Sequence, residues 1–202
     1  IDVPESTLDV ASRRGPFADL PQALINGFNM AIADLNGDER VDIALAERRN
    51  LIWLEQPTDA RAPWTPHLIG SFAPDGPVGL TLADIDGDDD ADLIVGGYSR
   101  TPRDNDEAVP LDTGMGRIAW YENPGAATST WQRHDISRRQ RGMYDRLIGR
   151  DVDADGDIDF LMTRGNSAPY DGVIWLEQRR SSSPERAFTR ARAMDSPERS
   201  MP

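Results

Sequence analysis

Three acidic segments of nine residues each are the part of this 202-residue sequence best suited to chemistry. They are residues 34–42, 84–92 and 151–159. In each segment acidic or amide residues fill positions one, three, five and nine, and apolar residues fill positions two and eight. Side-chain oxygens at alternate positions of a tight loop converge on one point, as the ligands of a hard metal cation do. The spacing therefore predicts cation binding.

The expected ligands favour calcium over other metals. A main-chain carbonyl at position seven completes a shell of about six or seven oxygens, which suits Ca²⁺ better than Mg²⁺ and disfavours zinc. An EF-hand needs a carboxylate at position 12, but that position is held by the apolar residues Leu45, Val95 and Met162. The nonapeptide β-roll repeats in tandem, whereas these segments lie far apart. The pattern indicates a calcium loop of another kind.

The composition excludes several other kinds of site. The chain has no Cys, all 22 of its basic residues are Arg, and His67 and His134 are its only histidines. Thiolate metal sites, thiol nucleophiles and lysine chemistry are thus excluded. The net charge of −13 is concentrated in the three acidic segments, which argues against nucleic acid as a partner there. No apolar run is long enough to predict a membrane span.

Short apolar segments flank the acidic loops in a repeated order. One precedes each loop, a second follows it, and a third contains a repeated Trp: Trp53, Trp120 or Trp175. A fourth segment occupies residues 64–69 and 131–136, with residues 188–193 as a degenerate third copy. Their lengths and their Gly, Pro, Asn and Asp boundaries predict β-strands. Four short strands per unit of about 50 residues are typical of a β-propeller blade, in which the Trp packs between blades.

The sequence therefore predicts an all-β fold, a β-propeller segment of about three four-stranded antiparallel blades that is part of a larger propeller. Residues 1–27 are assigned to the end of a preceding blade and its crossover. Blades one, two and three are assigned to residues 28–70, 71–136 and 137–193, and residues 194–202 to a C-terminal tail. Because propellers typically close with about 4–8 blades, we expect remaining blades or self-association.

The loops together with the Ile-Trp-Leu-Glu, Ile-Ala-Trp-Tyr-Glu and Trp-x-x-His strands resemble FG-GAP/VCBS repeats, over about residues 28–178. Such repeats form the integrin α-chain propellers and occur in large secreted bacterial proteins. The resemblance implies up to three calcium ions, each in the hairpin between the first two strands of a blade. The seventh residue of each loop would contribute its carbonyl oxygen. The implied ligands are Asp34, Asn36, Asp38, Arg40 and Asp42; Asp84, Asp86, Asp88, Asp90 and Asp92; and Asp151, Asp153, Asp155, Asp157 and Asp159.

This sequence departs from the family pattern at two loop positions. The family usually has Gly at positions four and six, whereas Glu39, Asp89 and Ala154 stand there in one loop each. A non-Gly residue is strained wherever the backbone needs a positive φ. We therefore expect some backbone strain in every loop.

A ligand surface is predicted on the face opposite the calcium loops. The connections there vary in length, and variable loops on a rigid scaffold often carry function. Guanidinium groups and Tyr rings suit acidic sugars or acidic protein loops. The residues assigned to this surface are Arg138, Arg139, Arg141, Tyr144 and Tyr170.

These observations predict a calcium-stabilised extracellular or periplasmic module that binds a carbohydrate or protein ligand. The alternative is a fragment of a propeller-fold polysaccharide lyase or another glycan-degrading enzyme, in which Tyr144, His134 or Arg141 would abstract a proton. His134 occupies the same repeat position as His67, and a residue that repeats with the blade is more often structural. No catalytic residue is therefore assigned.

Overall fold

Short β-strands make up the regular structure of the residues that the structure describes. The computed structural model describes residues 29–98, 118–125, 130–136, 143–165, 172–179 and 192–193. No helix within these ranges is long and apolar enough to cross a membrane. The strands are β1 (Met30–Ala33), β2 (Asp42–Glu47), β3 (Asn50–Glu55), β4 (Thr65–Ser71), β5 (Gly76–Ala83), β6 (Asp92–Tyr98), β7 (Ile118–Glu122), β8 (Gln132–Asp135), β9 (Met143–Arg150), β10 (Asp159–Gly165), β11 (Gly172–Leu176) and β12 (Arg192–Ala193).

The strands form three consecutive antiparallel units of four. Unit one is the sheet β1-β2-β3-β4. Unit two pairs β5, β6, β7 and β8 in the same way, and unit three pairs β9, β10, β11 and β12. A single pairing of Tyr98 with Met143 joins units two and three into one eight-stranded sheet. The first strands of the units, β1, β5 and β9, lie side by side.

The predicted all-β fold class is confirmed, and the sheets are consistent with a segment of a propeller. β12 lies within residues 188–193, where the sequence predicts a degenerate fourth strand. β4 ends at Ser71, one residue past the boundary expected for blade one. Residues 1–27 and 194–202, assigned to a preceding blade and a tail, lie outside the described residues.

An apolar core fills the space between units one and two. Trp53 and Ala44 from unit one meet Leu93, Val95 and Tyr121 from unit two in one buried cluster. Alternate residues of a strand point to opposite faces of a sheet, and the apolar residues of β6 therefore serve two interfaces. Leu93 and Val95 face unit one, and Ile94 belongs to the core shared with unit three.

Two glycines of unit two allow Tyr144 of unit three to pack against the sheet. The Tyr144 side chain is fully buried in the core between these units. A Cβ atom on Gly96 would lie 2.5 Å from Tyr144 Cβ, and one on Gly79 would lie 2.4 Å from the Tyr144 carbonyl oxygen. This placement corrects the expectation that Tyr144 lines an exposed ligand surface, because its ring contributes to the interface between units instead.

Gly96→Ala is expected to lower the free energy of unfolding by about 1–3 kcal/mol, because overpacking forces side chains and backbone apart. The midpoint of urea denaturation, followed by tryptophan fluorescence, measures the change. Gly165→Ala is the matched control, because no atom lies within 4 Å of the added Cβ at this strand position. Equal effects of the two substitutions would contradict the close packing described for Tyr144.

Candidate metal centre

The aspartate at position nine of each loop is a buried link between the loop and the third strand. Asp42, Asp92 and Asp159 have no exposed surface. In Asp92, Oδ2 accepts the N–H of Ile85 at 2.9 Å and Oδ1 accepts the N–H of Asn123 at 2.7 Å. Asp42 and Asp159 accept the N–H groups of the equivalent residues in their own units. The position-nine carboxylate therefore holds the hairpin even before any cation is considered.

Burial of this carboxylate has an electrostatic cost. Loss of solvent raises the pKa of Asp92 to about 6, although its two N–H donors act in the opposite sense. Burial also raises the pKa of Asp42. Each carboxylate oxygen has more than one lone pair, so an oxygen that already accepts an N–H can still ligate a cation. The geometry is thus compatible with the ligand role that the resemblance implies for position nine.

The aspartate at position one organises the loop backbone. Asp34 Oδ1 accepts the N–H of Gly37 at 2.8 Å, and Oδ2 accepts the N–H of Glu39 at 2.7 Å. Burial raises the pKa of Asp34, but its backbone donors outweigh that effect and hold the pKa below its usual value. Asp84 makes the same pair of contacts with Gly87 and Asp89. The first two loops therefore share a hydrogen-bonded shape, and in the third loop Asp151 Oδ2 accepts the N–H of Gly156 at the same sixth position.

Both departures from the family pattern fall on strained backbone. Positions four and six have positive φ in every loop, and three of the six residues there are not glycine. Their φ angles are 65° at Glu39, 72° at Asp89 and 64° at Ala154. A left-handed conformation costs a non-Gly residue about 1–2 kcal/mol. The strain expected from the sequence is present in each loop.

The second and third loops each bring three carboxylates together. One oxygen from each of Asp84, Asp86 and Asp88 lies within 4.8 Å of the others, and Asp151, Asp153 and Asp155 form the same cluster. Loss of solvent around the carboxylate, followed by repulsion from Asp88, raises the pKa of Asp86. Loss of solvent also raises the pKa of Asp153, with Asp155 as the strongest source of charge repulsion. These two clusters could hold a metal ion.

The first loop differs from the other two because an arginine of the loop itself offsets part of its negative charge. Its third position is Asn36, whose Nδ2 donates to Glu55 Oε1 at 3.5 Å. The Arg40 guanidinium pairs with Asp38 Oδ2, and Arg40 Nε donates to the Gln56 carbonyl at 2.9 Å. One carboxylate of this loop therefore already has a cationic partner within the chain. The residues implied as ligands are present, but they fit a metal ion less well than those of the other two loops.

The two histidines are held in the same way by a Glu and a Trp. His67 stacks on Trp53 at 4.4 Å between ring centroids, and its Nε2 lies 2.7 Å from Glu55 Oε2. In unit two, His134 stacks on Trp120 at 4.2 Å and lies 2.8 Å from Glu122 Oε2. The duplicated arrangement supports a structural role for both histidines.

Of the five residues assigned to the ligand surface, the structure describes only Tyr144. Arg138, Arg139, Arg141 and Tyr170 lie outside the described residues. Of the three side chains considered for a lyase, Tyr144 is buried and His134 is held as His67 is. Sequence reasoning also missed the Arg40–Asp38 pair, although an Arg at position seven of an acidic loop is itself a signal of internal charge compensation.

Ala154→Gly is expected to stabilise the chain by up to about 1 kcal/mol, because relief of left-handed strain exceeds the entropy that Gly adds to the unfolded state. Gly37→Ala tests the reverse change, since φ is 74° there and no atom lies within 4 Å of the added Cβ. Urea denaturation in EDTA measures both substitutions. Stabilisation by Gly37→Ala would contradict the backbone argument.

Asp92→Ala is expected to destabilise the chain by about 2–4 kcal/mol in EDTA, since each buried donor left without an acceptor costs about 1–3 kcal/mol. Removal of the buried negative charge offsets part of this decrease in stability. Asp86→Ala is the matched control, because this side chain is exposed. Its removal in EDTA should change the free energy of unfolding by no more than about 0.5 kcal/mol. Thermal and urea unfolding measure both, and a small effect of Asp92→Ala would show that position nine acts only through a cation.

Comparison with known proteins gives one family match. A family model for the FG-GAP-like repeat matches residues 15–95, which include all of unit one, the first strand of unit two and the beginning of its second strand. No curated protein matches the sequence. Unit three lies beyond the matched range, yet it repeats the strand order, the acidic loop and the buried position-nine aspartate of the matched units. Residues 15–95 therefore contain an FG-GAP-like repeat.

Proposed function

We propose that this chain is a calcium-stabilised, propeller-type interaction module that works outside the cytosol. The FG-GAP-like repeat and the antiparallel four-stranded units support the propeller-type module. The observation that carries the calcium assignment is the convergence of three carboxylates in each of two loops.

A divalent cation offsets the charge repulsion in these two loops. Asp84, Asp86 and Asp88 would hold one ion, and Asp151, Asp153 and Asp155 a second. Asp90 adds a further negative charge to the second loop. Burial, followed by repulsion from Asp88 and Asp84, raises its pKa, and a bound cation would offset this repulsion. Oxygen donors on a flexible loop suit calcium. The ions would be structural, since they would join the ends of the first two strands of a unit.

The first loop needs no metal ion in this proposal. Arg40 supplies a positive charge to Asp38 and is tethered to the Gln56 carbonyl. Asn36 contributes no charge at position three. We therefore expect two calcium ions rather than three, with the guanidinium taking the place of the cation in unit one.

Weak calcium loops of this kind are useful only where calcium is abundant. Extracellular modules bind calcium with a Kd of about 10⁻⁴–10⁻³ M, far above cytosolic concentrations. FG-GAP-like repeats occur in extracellular proteins. An exported chain, extracellular or periplasmic, would thus have its loops filled.

The proposed ligand is a carbohydrate or a protein loop with acidic groups. The support comes from the sequence alone, in which Arg138, Arg139 and Arg141 cluster in one predicted connection and Tyr170 lies in another. Guanidinium groups pair with carboxylates or sulfates in bidentate geometry. With Tyr144 assigned to the core, the arginines and Tyr170 remain the candidates.

Isothermal titration of the purified chain with calcium is expected to give two equivalents bound. The thermal midpoint should rise, because saturation at about 100 times Kd adds about 2.7 kcal/mol per site. Asp86→Ala and Asp153→Ala should each remove one equivalent and reduce the rise. Asp59→Ala, at an exposed acidic residue outside the loops, should leave both measurements unchanged.

The double substitution Asn36→Asp and Arg40→Asp separates the two parts of this proposal. It gives positions three and seven of the first loop the residues found in the second, and the count is then expected to rise to three. Three equivalents in the unsubstituted chain would overturn the role assigned to Arg40 but leave the calcium proposal standing. No bound calcium in either chain would overturn the calcium proposal and remove the argument for export.

A further inference from the structure

The side-chain amide that follows each third strand links one unit to the loop of the unit before it. Asn123 Nδ2 donates to the Leu35 carbonyl at 3.1 Å, which joins unit two to unit one. Gln178 Nε2 donates to the Ile85 carbonyl at 2.7 Å, which joins unit three to unit two. Leu35 and Ile85 both occupy position two of an acidic loop. The same directional hydrogen bond therefore occurs at both internal interfaces.

Each end of the stack carries one half of this contact. Gln56 is the equivalent amide of unit one, because its N–H bonds Asp42 as the N–H of Asn123 bonds Asp92. Within the described residues, the Gln56 side chain has no hydrogen-bond partner. The equivalent acceptor in unit three is the carbonyl of Val152, whose N–H bonds Asp159 in the common loop geometry. Unit one thus offers the donor, and unit three offers the acceptor.

Among the described residues, apolar side chains that face a following unit are buried in units one and two but exposed in unit three. At position two of the loop, Leu35 is 3% exposed and Ile85 is 7% exposed, whereas Val152 is 42% exposed. At the equivalent site in the third strand, Leu51 is 0% exposed and Ile118 is 3% exposed, whereas Val173 is 44% exposed. The side chains that fill the internal interfaces are therefore uncovered at this end.

In the described part of the chain, first-strand apolar residues that face a preceding unit are buried in units two and three but exposed in unit one. Leu80 and Leu147, in the first strands of units two and three, are 6% and 5% exposed, but their equivalent Met30 is 70% exposed. Ile32 and Val41 are also exposed. Other residues of unit one, Leu45, Ile52, Leu54 and Trp64, are buried in a separate cluster. The open part is the first strand and the neighbouring loop.

We infer that two copies of this chain associate head to tail, with unit three of each copy packing on the first strand of unit one of the other. Gln56 of one copy would donate to the Val152 carbonyl of its partner, and Met30 and Ile32 would meet Val152 and Val173. The occupant is a second copy because the chain carries both halves of the contact that already joins its own units. Two such contacts close a ring of six units, a number within the range of about 4–8 that propellers use.

Sedimentation velocity of the full chain, with millimolar calcium present throughout, tests the inference. The expected mass is twice 22.4 kDa. Met30→Asp and Val173→Asp should each give a monomer, and Gln56→Ala should weaken association about tenfold, the effect of one hydrogen bond. Far-UV circular dichroism shows whether each variant keeps its sheet content, which is expected because Met30 and Val173 are exposed and Gln56 is only half-buried.

Leu68→Asp is the matched control. Leu68 is an exposed apolar residue on the outer strand β4, and the equivalent residue of unit two is already the exposed Asp135. A head-to-tail contact between the inner strands predicts no effect of this substitution. Loss of the dimer in Leu68→Asp alone would overturn the inference by locating the contact at the outer strands.

Mixing the Met30→Asp and Val173→Asp chains distinguishes head-to-tail association from a symmetric contact. In a dimer of either variant alone, every contact includes one substituted face. In a mixed dimer, one contact joins the unsubstituted unit-three face of the Met30→Asp chain to the unsubstituted unit-one face of the Val173→Asp chain. Association is therefore expected to return on mixing. A monomeric unsubstituted chain, or a dimer that only one of the two substitutions disrupts, would overturn the inference.

Discussion

A buried carboxylate that accepts two backbone N–H groups is the interaction on which each unit depends. Asp42, Asp92 and Asp159 connect the second residue of their loop to the residue that follows the third strand. Unpaired buried N–H groups are costly, so this connection fixes where the loop lies over the sheet. The position of the loop in turn determines where its other carboxylates lie and where its second residue packs. It also determines where the carbonyl lies that accepts the amide hydrogen bond of the next unit.

Most of the fold could be predicted from the sequence, because its determinants are local and repeat. Short apolar runs between Gly, Pro, Asn and Asp indicated the strands, and the register of acidic residues indicated the loops. The burial of Tyr144 could not be predicted, since it depends on Gly79 and Gly96 of another unit. The Arg40 ion pair depends on a rotamer and on the Gln56 carbonyl, which the sequence places sixteen residues away. Tertiary neighbours decide both features.

The units share one framework but differ in how they neutralise charge. Trp53, His67 and Glu55 in unit one have the same arrangement as Trp120, His134 and Glu122 in unit two. The loops between the first two strands differ instead: one contains an internal guanidinium, and two bring together three carboxylates. Because the framework is hydrogen-bonded within the protein, charge in the loop can vary without loss of the fold.

The amide link gives the stack of units a direction. Asn123 and Gln178 each bond a loop carbonyl that was synthesised earlier in the chain. During translation the N-terminal part of a chain emerges first, so each new unit meets an acceptor loop that has already been synthesised. Each folded loop would then serve as a template for the next unit. A misfolded loop would lack the carbonyl acceptor in its correct position, and the following unit could not pack on it.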